Sequence, residues 1–173
     1  MKNMKFIGYT GGTIDIFDNV IVQEGASIIA PALTEVSGYV IVRKGGNLTA
    51  PALTKISGYV IVQEGASFTA PALTKAGNVY VREDASFTAP ALTWVSGNVC
   101  VQKGGNLTAP ALTKAGNVIV REGASIIAPA LTEVSGYVIV RKGGNLTAPA
   151  LTKAGNVYVQ KGGNLTAPKL NQK

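Results

Sequence analysis

Side chains able to do covalent or acid–base chemistry are scarce in this sequence, and their spacing assembles no centre. There is no histidine, a single thiol at Cys100, and nine acidic residues that mostly recur at equivalent places in a repeated motif. A nucleophile needs a base beside it and the base needs an orienting partner; Cys100, in a chain without histidine, has no imidazole to serve as that base. Asp15 and Asp18 form the one unusual acidic pair. Two carboxylates without further ligands hold a cation poorly, and capping of a strand or helix end is the simpler role. The inventory predicts a non-enzyme with no catalytic residue, no metal and no cofactor. Asn-Leu-Thr triplets such as Asn47–Leu48–Thr49 match a glycosylation sequon, but without a secretory leader they are read as turn chemistry.

The elements that carry these residues are repeats. A Val-x-Val motif occurs at Val20/Val22, Val40/Val42, Val60/Val62, Val79/Val81, Val99/Val101, Val118/Val120, Val138/Val140 and Val157/Val159, in steps of 19 or 20 residues. Prolines from Pro31 to Pro168 give the same steps in the same order. Self-similarity at this period marks a solenoid. The length change sits at one corner: long copies read Ser-Gly where short ones read Gly alone, as in Val36–Ser37–Gly38–Tyr39 against Ala76–Gly77–Asn78. Residues 37–55 and 135–153 are identical, which speaks for recent duplication.

Most units have a valine segment with period two, a Gly-Gly-Asn or Gly-Ala-Ser turn, and a Leu/Phe/Ile-Thr-Ala-Pro-Ala-Leu segment. Alternating β-branched residues bounded by Gly and Pro favour strands, and no stretch offers helical spacing free of both. The expected fold is all-β, a parallel β-solenoid of eight coils, with residues 1–19 as an N-terminal capping segment and 20–173 as one repeat domain. Phe6, Ile7, Ile14 and Ile16 are the apolar residues available to cover the first coil. Rungs about 4.8 Å apart make a rod roughly 40 Å long.

Valine is invariant at both positions of the motif, so those side chains are expected to point inward, together with stacks containing Leu48, Phe68, Phe87 and Leu53, Leu73, Leu92. The residue between the valines then points outward: Ile21, Ile41, Ile61, Tyr80, Cys100, Ile119, Ile139 and Tyr158. Such a stripe is an apolar patch of the kind monomers seldom leave bare, and it is the candidate binding surface. The opposite assignment puts the same residues in a wide core. Tyr39, Tyr59 and Tyr137, which alternate with asparagines before the same strand, either extend the patch or pack the corner, and Trp94 marks a local contact in a charged ladder.

Two threonine ladders raise ice binding as an alternative, led by Thr49, Thr69, Thr88, Thr108 and Thr147, with Thr34, Thr54 and their equivalents beside them. The ladders lie five residues apart with proline between them, and Ile29 and Ile127 interrupt the first. Solvated β-branched residues explain them as well.

The pattern of Leu112 to Val120 followed by Gly123 to Leu131 resembles the short leucine-rich-repeat-like arrays of bacterial and phage proteins, and the strand signature of receptor L domains. Valine replaces most strand leucines, and that family's usual asparagine ladder is displaced or absent. The resemblance implies partner binding through the outward strand residue and a role such as sequestering a host protein; it transfers no catalytic residue and no ligand.

A net charge of +7 invites anionic ligands or nucleic acid, a weaker alternative because basic residues are thinly spread and often matched by Glu at the equivalent place. No apolar run approaches the roughly 20 residues of a membrane-spanning helix. A single cysteine and no leader point to the cytoplasm. The expected partner is a second copy of the chain or another protein, with neither nucleic acid nor membrane as the main target.

Overall fold

Valines at alternate positions, with Gly and Pro at the corners, dictate short strands separated by tight turns, and that is what forms. The structure is a computed structural model that describes residues 3–6 and 16–170, with side chains described for residues 18–170. No helix occurs among the described residues, so none is long and apolar enough to cross a membrane. All strand pairs are parallel. They make a 13-stranded sheet that carries the valine segments and an eight-stranded sheet that carries the Ser/Asn-x-Thr/Ile segments.

One coil shows the path. Lys55–Val62 runs along the wide sheet, a turn at Gln63–Ala66 follows, and Ser67–Thr69 lies in the narrow sheet. Ala70–Pro71–Ala72–Leu73 then turns back, with the Leu73 N–H donating to the Ala70 carbonyl at 3.2 Å. Proline stands at the second position of this turn, where its fixed φ fits and its missing N–H is not needed.

Rung follows rung in register. Val40 pairs with Val60, Val79, Val99, Val118, Val138 and Val157 in succession. With Val20 at the start, these are eight rungs joined by seven turns. In the narrow sheet Ile28, Leu48, Phe68, Phe87, Leu107, Ile126, Leu146 and Leu165 align the same way. Asn3–Phe6 pairs in parallel with Asn19–Val22, so a strand from the expected capping segment lies along the first valine strand. The expected contacts of Ile7 and Ile14 fall outside the described residues.

The core is the set of inward ladders. Val40, Val42, Leu48, Ala50 and Leu53, and their equivalents through Leu151, are buried, and no polar side chain is buried among the described residues. Like sits on like: the Phe68 and Phe87 rings stack with centroids 4.9 Å apart and planes 5° from parallel.

Two glycine columns allow the winding. At Gly58, Gly77 and Gly155 an added Cβ would collide with the carbonyl of the glycine one rung before, so this corner closes only without a side chain. In the turn between the sheets, Gly25, Gly45, Gly65, Gly104, Gly123, Gly143 and Gly162 have positive φ, and Asp84 occupies the same place with φ 51°. A side chain in the left-handed region carries a steric cost that glycine avoids. Asp84→Gly is expected to raise stability by about 0.5–1 kcal/mol and Gly65→Ala to lower it by about 1 kcal/mol, read as opposite shifts of the thermal midpoint.

Candidate interaction surface

The outward positions of the valine strands form one continuous ladder. Ile21, Ile41, Ile61, Tyr80, Cys100, Ile119, Ile139 and Tyr158 are consecutive register partners. Valine neighbours on both sides are buried while the middle residue is only half-buried in most rungs, as in Val40–Val42 and Val138–Val140. Each stripe residue leans on its copies about 4.8 Å away, which covers its flanks and leaves its tip in solvent. Cys100 is the exception at 6% exposure, a short side chain between Tyr80 and Ile119. Tyr158 on the last rung is 54% exposed.

Beside the stripe, two residues earlier on the strand, runs the Tyr/Asn rank. Tyr39 and Tyr59 stack with centroids 5.0 Å apart and planes 5° from parallel, and Tyr59 and Tyr137 are exposed. The asparagines of this rank have a different job, which sequence reasoning left between patch and corner. Asn19 Oδ1 accepts the Tyr39 N–H at 3.0 Å, Asn78 Oδ1 the Asn98 N–H at 2.8 Å, and Asn117 Oδ1 the Tyr137 N–H at 2.9 Å. Each accepting asparagine lies one rung before a long coil, whose additional serine shifts the register at the corner. The side-chain carbonyl supplies the acceptor at the step where the backbone ladder shifts. Asn117 also donates to Asn98 Oδ1 at 2.8 Å. The signal was present in the sequence, since asparagine stands before the strand in every short copy.

The two threonine ladders separate in the structure. Thr54, Thr74, Thr93, Thr113, Thr132 and Thr152 each donate their hydroxyl to the carbonyl of the threonine one rung earlier, at 2.9–3.2 Å. Those protons are consumed within the rod. Thr49, Thr69, Thr88, Thr108 and Thr147 lie on the outer side of the narrow sheet, with the intervening side chain buried in every case. Two residues before them on the same strands is a Ser/Asn rank, in which Ser67 Oγ donates to Asn47 Oδ1 at 2.7 Å. This face therefore presents two polar ranks on one strand.

Charges are arranged by the same stacking. Lys44 meets Glu64 at 2.9 Å and Lys114 meets Glu133 at 3.3 Å, both on neighbouring rungs. The Glu64 hydrogen bond holds the Lys44 ammonium above its usual pKa. Lys75 Nζ lies 5.8 Å from the centre of the Trp94 ring, and Trp94 is 47% exposed. Asp18 Oδ1 accepts from Ser37 Oγ at 3.2 Å, which joins it to the next coil; Asp15 falls outside the described residues. Among the described residues no three His, Cys, Asp or Glu side chains come together as a cation site.

No family model matches the chain, and neither a curated protein nor a solved structure matches it.

Asn117→Ala removes an acceptor and a donor at a length change and is expected to cost about 1–2 kcal/mol. Asn156→Ala, at an exposed position, is expected to be near neutral, and denaturant midpoints of the two variants provide the check.

Proposed function

We propose that the chain is a non-catalytic structural protein whose rigid rod presents the Ile/Tyr stripe for self-association or for capture of a protein partner. The observation that carries this reading is the unbroken outward register from Ile21 to Tyr158, with isoleucines where solvent-facing strand positions ordinarily take polar residues. Eight rungs of about 4.8 Å and two ranks, the stripe and the Tyr/Asn rank, each taking about 6.6 Å of strand, give a face on the order of 500 Å². That is below the roughly 800 Å² per partner of a standard interface, so the contact suits a reversible assembly. A host-protein target, and the leucine-rich-repeat-like reading that suggests it, rest on strand spacing; a cytoplasmic location belongs to the same proposal.

Changing Ile41, Ile61, Ile119 and Ile139 together to Thr keeps β-branched residues at those positions. The native protein is expected to be a dimer or larger by light scattering and the variant a folded monomer. A native monomer that stays monomeric at high concentration contradicts self-association, and an unfolded variant assigns the isoleucines to the core.

A second reading, ice binding, is favoured by one observation: the narrow sheet offers Ser/Asn and Thr ranks two residues apart on the same strands, with about 4.8 Å between rungs. Thermal hysteresis in purified protein, lost on changing Thr69, Thr88 and Thr108 to Lys, is what it predicts. Absence of hysteresis in the native protein rules it out.

A further inference from the structure

The molecule contains its own control for one surface feature. Residues 19–55 and 117–153 are the same 37-residue unit with a single difference, Gln23 in the first and Arg121 in the second. In the first unit the corner cations are satisfied: Arg43 donates to Gln23 Oε1 at 3.2 Å and Lys44 pairs with Glu64 at 2.9 Å. In the second, Arg141 follows Arg121 on the next rung, and Lys142 is followed by Lys161 where Lys44 is followed by Glu64. Neither Arg121 nor Arg141 has an ion-pair or side-chain hydrogen-bond partner among the described residues.

Elsewhere this column avoids such contact. It runs Gln23, Arg43, Gln63, Arg82, Gln102 before reaching Arg121 and Arg141, so glutamine separates every other arginine from the next. Like charges directly opposite on parallel rungs repel. The two guanidinium groups flank a groove of about 440 Å³ that also takes in Lys103 and Lys142, four cations against the carboxylates of Glu83 and Glu122. We propose that this groove binds tetrahedral oxyanion groups, phosphate or sulfate, carried by a linear polyanion that lies along the corner. Arginine's planar fork suits such groups, and two forks on successive rungs accept neighbouring ones. The inference stands apart from the role of the Ile/Tyr stripe.

The test measures binding of long-chain inorganic polyphosphate and, separately, of dextran sulfate, as a function of salt. The double variant Arg121→Gln/Arg141→Gln installs the residue this column already carries at four rungs, and circular dichroism verifies its fold. It is expected to lose about tenfold in affinity and to flatten the salt dependence by about one to two charges. Arg43→Gln, in the satisfied unit, is expected to change affinity less than twofold. Binding of one polymer alone identifies phosphate or sulfate as the source, and binding of both with the same variant sensitivity identifies the shared oxyanion. Failure of the native protein to bind either polymer, or equal losses from Arg43→Gln and the double variant, overturns the proposal.

Discussion

Everything in this molecule follows from one constraint: the backbone of each rung hydrogen-bonds to the rung before it in parallel, so every side chain abuts its own equivalent about 4.8 Å away. A residue type is acceptable only if it tolerates a copy of itself. Valine, leucine and phenylalanine do, and they form the inward ladders. Threonine does when its hydroxyl reaches the previous carbonyl, as Thr74 reaches Thr54. Asparagine does through an amide-to-amide bond, as Asn117 bonds Asn98. Charge does so less well, and the corner ladders answer in part with Lys44 beside Glu64 and Lys114 beside Glu133, while Lys55 still faces Lys75.

The architecture was legible because this constraint writes itself into sequence. Two independent markers, the valines and the prolines, step together, and the invariance of the valines against the variability of their middle neighbour separated core from surface. Part of what escaped depends on contacts between rungs of unlike length. The asparagine bonds at Asn19, Asn78 and Asn117 arise at the shift between a 19- and a 20-residue step, and a period read from single markers does not show which amide then needs an acceptor. The use of one threonine ladder inside the rod was hidden too, because ladder spacing does not show whether a hydroxyl turns to solvent or to the carbonyl one rung earlier. So was the burial of Cys100, which is set by the heights of Tyr80 and Ile119 on either side rather than by its own position.

The outward ladders can be sorted by whether the rod already uses their polar groups. Asn78, Asn117 and the Thr54 series are engaged in holding coils together, so their regularity needs no ligand. The Ile/Tyr stripe, the Thr rank of the narrow sheet and the Arg121–Arg141 step are features that holding the coils together leaves over, whereas the Ser/Asn rank beside that Thr rank is partly engaged, as Ser67 is with Asn47. Functional proposals belong on those three surfaces, and each predicts a different partner: another apolar face, an ordered water lattice, or a polyanion. Near-identity of coils favours a partner that is itself repetitive or extended, because a compact ligand would have no reason to prefer one rung over the next except where the repeat is broken.

In-register stacking is most directly tested by a distance between two equivalent surface positions. Lys55 and Lys153 share one outward ladder and are separated by five rung steps through Lys75, Trp94, Lys114 and Glu133. Spin labels at Lys55→Cys and Lys153→Cys, in a Cys100→Val background, are predicted to give a narrow distance distribution centred at about 24 Å in pulsed electron resonance, five steps of about 4.8 Å. A broad distribution, or a mean beyond about 40 Å, the full length expected of an eight-rung rod, would contradict the solenoid itself.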